Sequence, residues 1–133
     1  MRERFSMNDP VKMWRAYAQE DLDVARHAVS VGWLNSACFH AQQCGEKWLK
    51  ALLTYYGQPV PRSHDLDYLA DLVEPFAKNV GDIREATLVL TEYAVSSRYP
   101  SPLEIDVDEA AQAVSYAQQI QEWAEVHLAR SAD

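Results

Sequence analysis

The chain has 133 residues, enough for one compact domain and too few for two. Its 48% apolar and 24% charged residues are the balance of a globular protein, and only 4 Gly and 6 Pro exclude a collagenous or low-complexity chain. With 12 basic and 20 acidic side chains the formal charge is −8, which disfavours broad DNA binding through the whole surface while leaving local basic clusters open.

Residues 1–8 read as a flexible N-terminal segment, and residues 9–131 as a single helical domain. Met1-Arg-Glu-Arg-Phe-Ser-Met7 lacks the apolar run of a signal peptide. No stretch approaches the roughly 18 to 20 apolar residues of a membrane span, so the expectation is a cytoplasmic protein without a membrane partner.

Asp9-Pro10 predicts a helix start, with Asp at the N-cap and Pro in the first position, where a missing N–H costs nothing. Val11, Trp14, Ala18, Leu22, Ala25 and Val29 follow a 3-to-4 spacing, and Gly32 closes the segment. A second helix is predicted from Asn35 or Ser36 to Gly57. Its stripe carries the small residues Ala37, Cys38, Ala41, Cys44 and Gly45, which permit close approach of a neighbouring backbone. Phe39 and Leu53 lie off that stripe. A second apolar flank means a central place in a bundle or a contact with a second copy, and these two side chains are candidate dimer-interface residues.

Pro59 and Pro61 punctuate the next loop, and Asp65 caps a short helix with Leu66, Leu69, Leu72 and Val73. A fourth helix carries Ile83, Ala86, Leu90, Tyr93 and Ala94. After Arg98-Tyr-Pro100 a last one runs from about Asp106 to Arg130. No alternation of period two is long enough for a strand. The fold class is all-α, an up-and-down bundle of four or five helices.

Cys38 and Cys44 are six residues apart on one helix, about 240° around its axis, so they cannot bridge each other. His40 and Cys44 make half a structural zinc site at most; no metal and no cofactor is expected. Glycine-rich phosphate loops, His-Glu-x-x-His and Gly-x-Ser-x-Gly are all absent.

The remaining chemistry lies in and beside the two Pro-containing loops. Arg62, His64 and Asp65 gather at a helix mouth, Arg98 and Tyr99 follow another helix end, and Lys47 and Lys50 sit on successive turns. These seven are the candidate ligand residues. Each has a plain structural alternative: Asp65 as a cap, Arg98 satisfying helix carbonyls, and the lysines on a solvated face with Glu46 and Lys50 as an i,i+4 pair. Asp21 borders the apolar stripe, where a carboxylate needs an Arg or hydrogen-bond partner, and the Arg98 fork suits either such a carboxylate or a phosphate. His27 and His127 read as surface helix residues.

The order Trp14…Ala18…Asp21-Leu22…Ala25, then Cys38-Phe-His-Ala-Gln-Gln-Cys-Gly-Glu-Lys-Trp-Leu-Lys50-Ala-Leu-Leu53, then Pro61-Arg-Ser-His-Asp-Leu66, then Arg98-Tyr-Pro100 resembles the HEPN (higher eukaryotes and prokaryotes nucleotide-binding) family over about residues 10 to 130. Cys44-Gly45 departs from the family's usual small Ala residues but keeps close packing. The resemblance implies a helical bundle that commonly forms homodimers and handles nucleotide or RNA. It also implies a toxin–antitoxin-like setting beside a minimal nucleotidyltransferase, here a separate polypeptide. Many members are ribonucleases built on an Arg followed, after four to six residues, by His. No Arg here has a His in that range: the positions after Arg98 are Leu103, Glu104 and Ile105, and those after Arg62 are Asp67, Tyr68 and Leu69. The expectation is therefore a non-catalytic binding or partner protein. A ribonuclease with relocated residues around His64, or a structural adaptor, are the alternatives.

Overall fold

Two residues, Gly32 and Trp33, reverse the chain between its first long helices. Gly32 takes φ +84°, a left-handed conformation that favours glycine. Its amide reaches the Val29 carbonyl at 3.2 Å, and the Trp33 amide reaches that of Ala28 at 2.8 Å. In the computed structural model, which describes residues 9–94 and 104–131, five α-helices follow in order. They are α1 (Asp9–Val31), α2 (Leu34–Tyr55), α3 (Leu66–Val73), α4 (Arg84–Thr91) and α5 (Val107–Ser131), with 3₁₀ turns at Val80–Ile83 and Glu92–Ala94. No strand occurs among the described residues. The all-α bundle expected from periodicity is what forms.

α2 begins at Leu34, just before the expected caps Asn35 and Ser36, and its cap position is Trp33 with no side-chain bond. The short reversal fixes that start, so a polar cap is not required. Asp65 does cap α3, its Oδ1 accepting the amides of Asp67 at 3.0 Å and Tyr68 at 3.1 Å. Asp106 does the same for α5, accepting the Glu109 amide at 2.8 Å.

α2 is the spine: it touches α1, α3, α4 and α5. Thirteen of its 22 residues are buried. This corrects the reading of Leu53 as a dimer contact, because its side chain is fully covered within one chain. The second apolar flank exists because α2 is enclosed from several sides. Phe39 is half-buried and sets its ring edge-on to His40 at 5.3 Å.

Small residues on α2 do permit close approach. A Cβ on Gly45 would lie 2.8 Å from Leu66 Cδ2 and 3.1 Å from Ile120 Cδ1, so α3 and α5 both press on that point. Cys38 and Cys44 are free and buried on the same helix. Burial, with a further push from Glu109, raises the Cys38 thiol to about 11. Burial raises Cys44 to about 12, with Asp21 adding to it. His127, expected at the surface, is buried, with Nδ1 at 2.9 Å from the Trp123 carbonyl and Nε2 at 2.8 Å from that of Lys78. It sits between α5 and the chain following α3, a contact with no trace in helical periodicity.

Candidate functional site

Three charged side chains in the α1–α2 region are almost out of contact with water: Asp21 is 7%, Glu46 5% and Lys50 7% exposed. Unpaired burial of such groups costs several kcal/mol each, and each one here is paired. Asp21 points from α1 onto α2. Its Oδ2 accepts from Lys47 Nζ at 2.5 Å and its Oδ1 from His40 Nδ1 at 2.9 Å. A carboxylate accepts only, so Nδ1 carries a proton in this contact.

Glu46, on α2 between His40 and Lys47, repeats the pattern with a lysine one turn further along. Its Oε2 accepts from Lys50 Nζ at 2.8 Å, and its Oε1 from His64 Nδ1 at 2.9 Å. Gln42 and Gln43 each add a long contact of 3.4 Å to Oε1. Gln42 Nε2 also donates to the His64 carbonyl at 2.8 Å, so α2 holds both the backbone and the ring of that loop residue. Each carboxylate therefore bridges one lysine and one histidine. Two aromatic rings of α1 close the side of the cluster. Lys47 Nζ lies 5.9 Å from the centre of the Tyr17 ring and Lys50 Nζ 5.9 Å from that of Trp14.

The burial is graded. Glu46 and Lys50 are inside, Lys47 and His40 half-buried, and the His64 side chain is 53% exposed at the rim. Chemically, the arrangement presents an imidazole whose orientation and tautomer are set by a buried carboxylate. Such a group can hold an anionic or hydrogen-bonding ligand or move a proton through Nε2.

Of the seven residues singled out in the sequence, Lys47, Lys50 and His64 meet here. The lysines are not on a solvated face; the Glu46–Lys50 pair forms, but in the interior. Asp65 serves as the cap of α3. Arg62 is exposed on the loop two residues before His64. Arg98 and Tyr99 lie outside the described residues. Asp21 takes Lys47 and His40, one on each oxygen. Sequence reasoning missed the parts played by Gln42, Gln43, Glu46 and His40. The available signal was the position of Glu46 between Cys44-Gly45 and Trp48-Leu49, where a lone surface carboxylate does not belong.

Below the loop, Leu53, Gln58, Pro59, Val60, Pro61, Tyr68 and Leu72 line a mostly apolar groove of about 300 Å³. No group of three or more His, Cys, Asp or Glu side chains is placed to hold a metal among the described residues.

The HEPN domain family model matches residues 11–127. This chain belongs to the HEPN family. Among solved structures, TT1696 from Thermus thermophilus is 30% identical, with a TM-score of 0.78 over 86% of this chain and 95% of that one. ST0689, described as an archaeal HEPN homologue, is 29% identical, with a TM-score of 0.71 over 88% of this chain and 96% of the other. No curated protein matches the chain. The HEPN match starts at Val11, a buried residue of α1, and includes every member of the two carboxylate clusters.

Proposed function

We propose that this HEPN domain is a non-catalytic nucleotide-binding protein that takes its ligand at the rim of the α1–α2–loop cluster and works as a homodimer beside a separate minimal nucleotidyltransferase, as in a toxin–antitoxin-like module. The observation that carries this reading is the Glu46–His64 pair. A buried carboxylate fixes an exposed imidazole, with Lys50 buried behind it on the same carboxylate and Arg62 exposed two residues away on the loop. The cluster's lysines are taken by Asp21 and Glu46, which leaves the exposed imidazole and the Arg62 guanidinium as the groups offered to a phosphate. The missing Arg-to-His motif argues for binding over cleavage.

Titration with ATP and other nucleotides, followed by calorimetry and thermal shift, tests it. A ligand at 100 times its Kd stabilises by about 2.7 kcal/mol, so a rise in melting temperature that disappears in His64→Ala is the expected result. No shift at millimolar nucleotide overturns direct binding.

The same pair supports a second reading. A carboxylate that orients an imidazole through Nδ1 prepares Nε2 for general acid–base work, as RNA cleavage through a 2′-hydroxyl requires. Cleavage of single-stranded or structured RNA by the parent, lost in His64→Ala, would establish a relocated ribonuclease and displace the non-catalytic proposal.

A further inference from the structure

α1 has three faces. Val11, Ala18, Leu22, Ala25 and Ala28 are buried in the bundle. Lys12, Gln19, Asp23 and Arg26 form the polar side. Between them runs a stripe that the bundle leaves uncovered, with Met13 53%, Tyr17 46%, Val24 37% and Val31 46% exposed. Glu20 and His27 complete it, so the six positions are spaced alternately four and three residues apart. At 100° per residue they occupy an arc of about 80°, the seam of a helix that pairs with another helix. At its end Trp33 is 61% exposed and stands edge-on to His27 at 5.8 Å.

We infer that this stripe is the surface on which a second copy of the chain docks, α1 against α1 in antiparallel order. The seam is symmetric about position 22. Met13 is as far before it as Val31 is after, and the same holds for Tyr17 with His27 and Glu20 with Val24. A twofold axis there sets Met13 on the partner's Val31, Tyr17 on the partner's His27 and Glu20 beside the partner's Val24 and within one turn of the partner's His27. The single acid and the single imidazole of the seam thus find each other across the axis, and the same stripe satisfies itself, as an isologous contact requires. A helix of 23 residues is roughly 34 Å long, and a strip about 10 Å wide along it covers less than the roughly 800 Å² per partner of a standard interface. Trp33 and the polar border must join in, and the dimer is reversible. Tyr17 is also the ring beneath Lys47, so the second copy closes the outer side of the Asp21 cluster.

This rests on the self-pairing proposed above, and its test separates the two claims. Light scattering of the full chain at high micromolar concentration is expected to give a dimer, and Val24→Glu to give a folded monomer. Val126→Glu, at an exposed position on α5, is expected to leave the dimer intact. Under oxidation, a mixture of Glu20→Cys and Val24→Cys chains should cross-link faster than either alone. The native thiols are buried and protonated, and stay silent. A monomeric parent defeats both self-pairing and this surface. A dimer that survives Val24→Glu, or cross-links fastest in one variant alone, defeats the surface or its antiparallel order. Neither result bears on the nucleotide titration.

Discussion

The Glu46 cluster and the ionic cluster around Arg84 stand in very different surroundings. Around Glu46 the carboxylate and Lys50 are buried, and one acid takes Lys50, His64, Gln42 and Gln43. Around Arg84, at the α3–α4 junction, one guanidinium serves three carboxylates near water: Asp67 at 2.8 Å, Asp71 at 2.6 Å and Glu74 at 3.2 Å. Asp71 and Glu74 are mostly exposed there, at 58% and 61% of their side chains. Short distances alone would rank the Arg84 cluster as the stronger. Solvent reverses that order, because water and salt replace a lost surface partner and cannot replace one inside. What the difference teaches is that the inner cluster is costly to break and the outer one cheap.

Glu46→Ala tests the inner side most severely. It strands Lys50 in the interior and should destabilise by about 3–5 kcal/mol, measured by urea unfolding; a loss below about 1 kcal/mol would mean that water reaches Lys50 freely. Alkaline pH probes the buried side of α2 differently. The folded thiols titrate near 11 and 12 against an ordinary value of 9.0. The protonated form is thus favoured by folding, so this stability is complete below pH 9 and is lost as pH rises beyond it. Each thiol should steepen the loss by up to about 1.4 kcal/mol per pH unit, and Cys38→Ala with Cys44→Ala should flatten the slope. Arg84→Ala, in contrast, should cost about 1 kcal/mol, with the cost shrinking in 1 M salt as screening tightens to about 3 Å. A salt-independent loss would place that cluster with the inner one. His64→Ala is the smallest effect, a few tenths of a kcal/mol. Lys50 stays on Glu46, and the half-exposed imidazole gives way to water.

The bundle was legible because helix formation here obeys local rules that the chain states plainly: Pro10 at a first position, Gly32 and Gly57 at helix ends, Asp65 and Asp106 as caps. The centrality of α2 was half legible. Phe39 and Leu53 announced a second apolar flank, but whether a neighbouring helix or a second chain covers a flank is a tertiary fact. The site was the least legible part. Lys47 and Lys50 look like ordinary surface lysines in sequence, since a helical face reads as polar until one knows that Asp21 and the His64 loop fold over it. Pairings across 26 residues, as between Asp21 and Lys47, leave no periodic signal.

α2 touching every other helix has a kinetic consequence as well. Its largest contact is with α1, the element next to it in the chain and separated by a two-residue turn. Closing that hairpin requires almost no loop entropy, so the long α1–α2 pair is the natural first structure of the folding chain, onto which the short α3 and α4 and then α5 assemble. Amide hydrogens of α2 should exchange only through global unfolding, whereas those of the 8-residue helices α3 and α4 exchange through local opening.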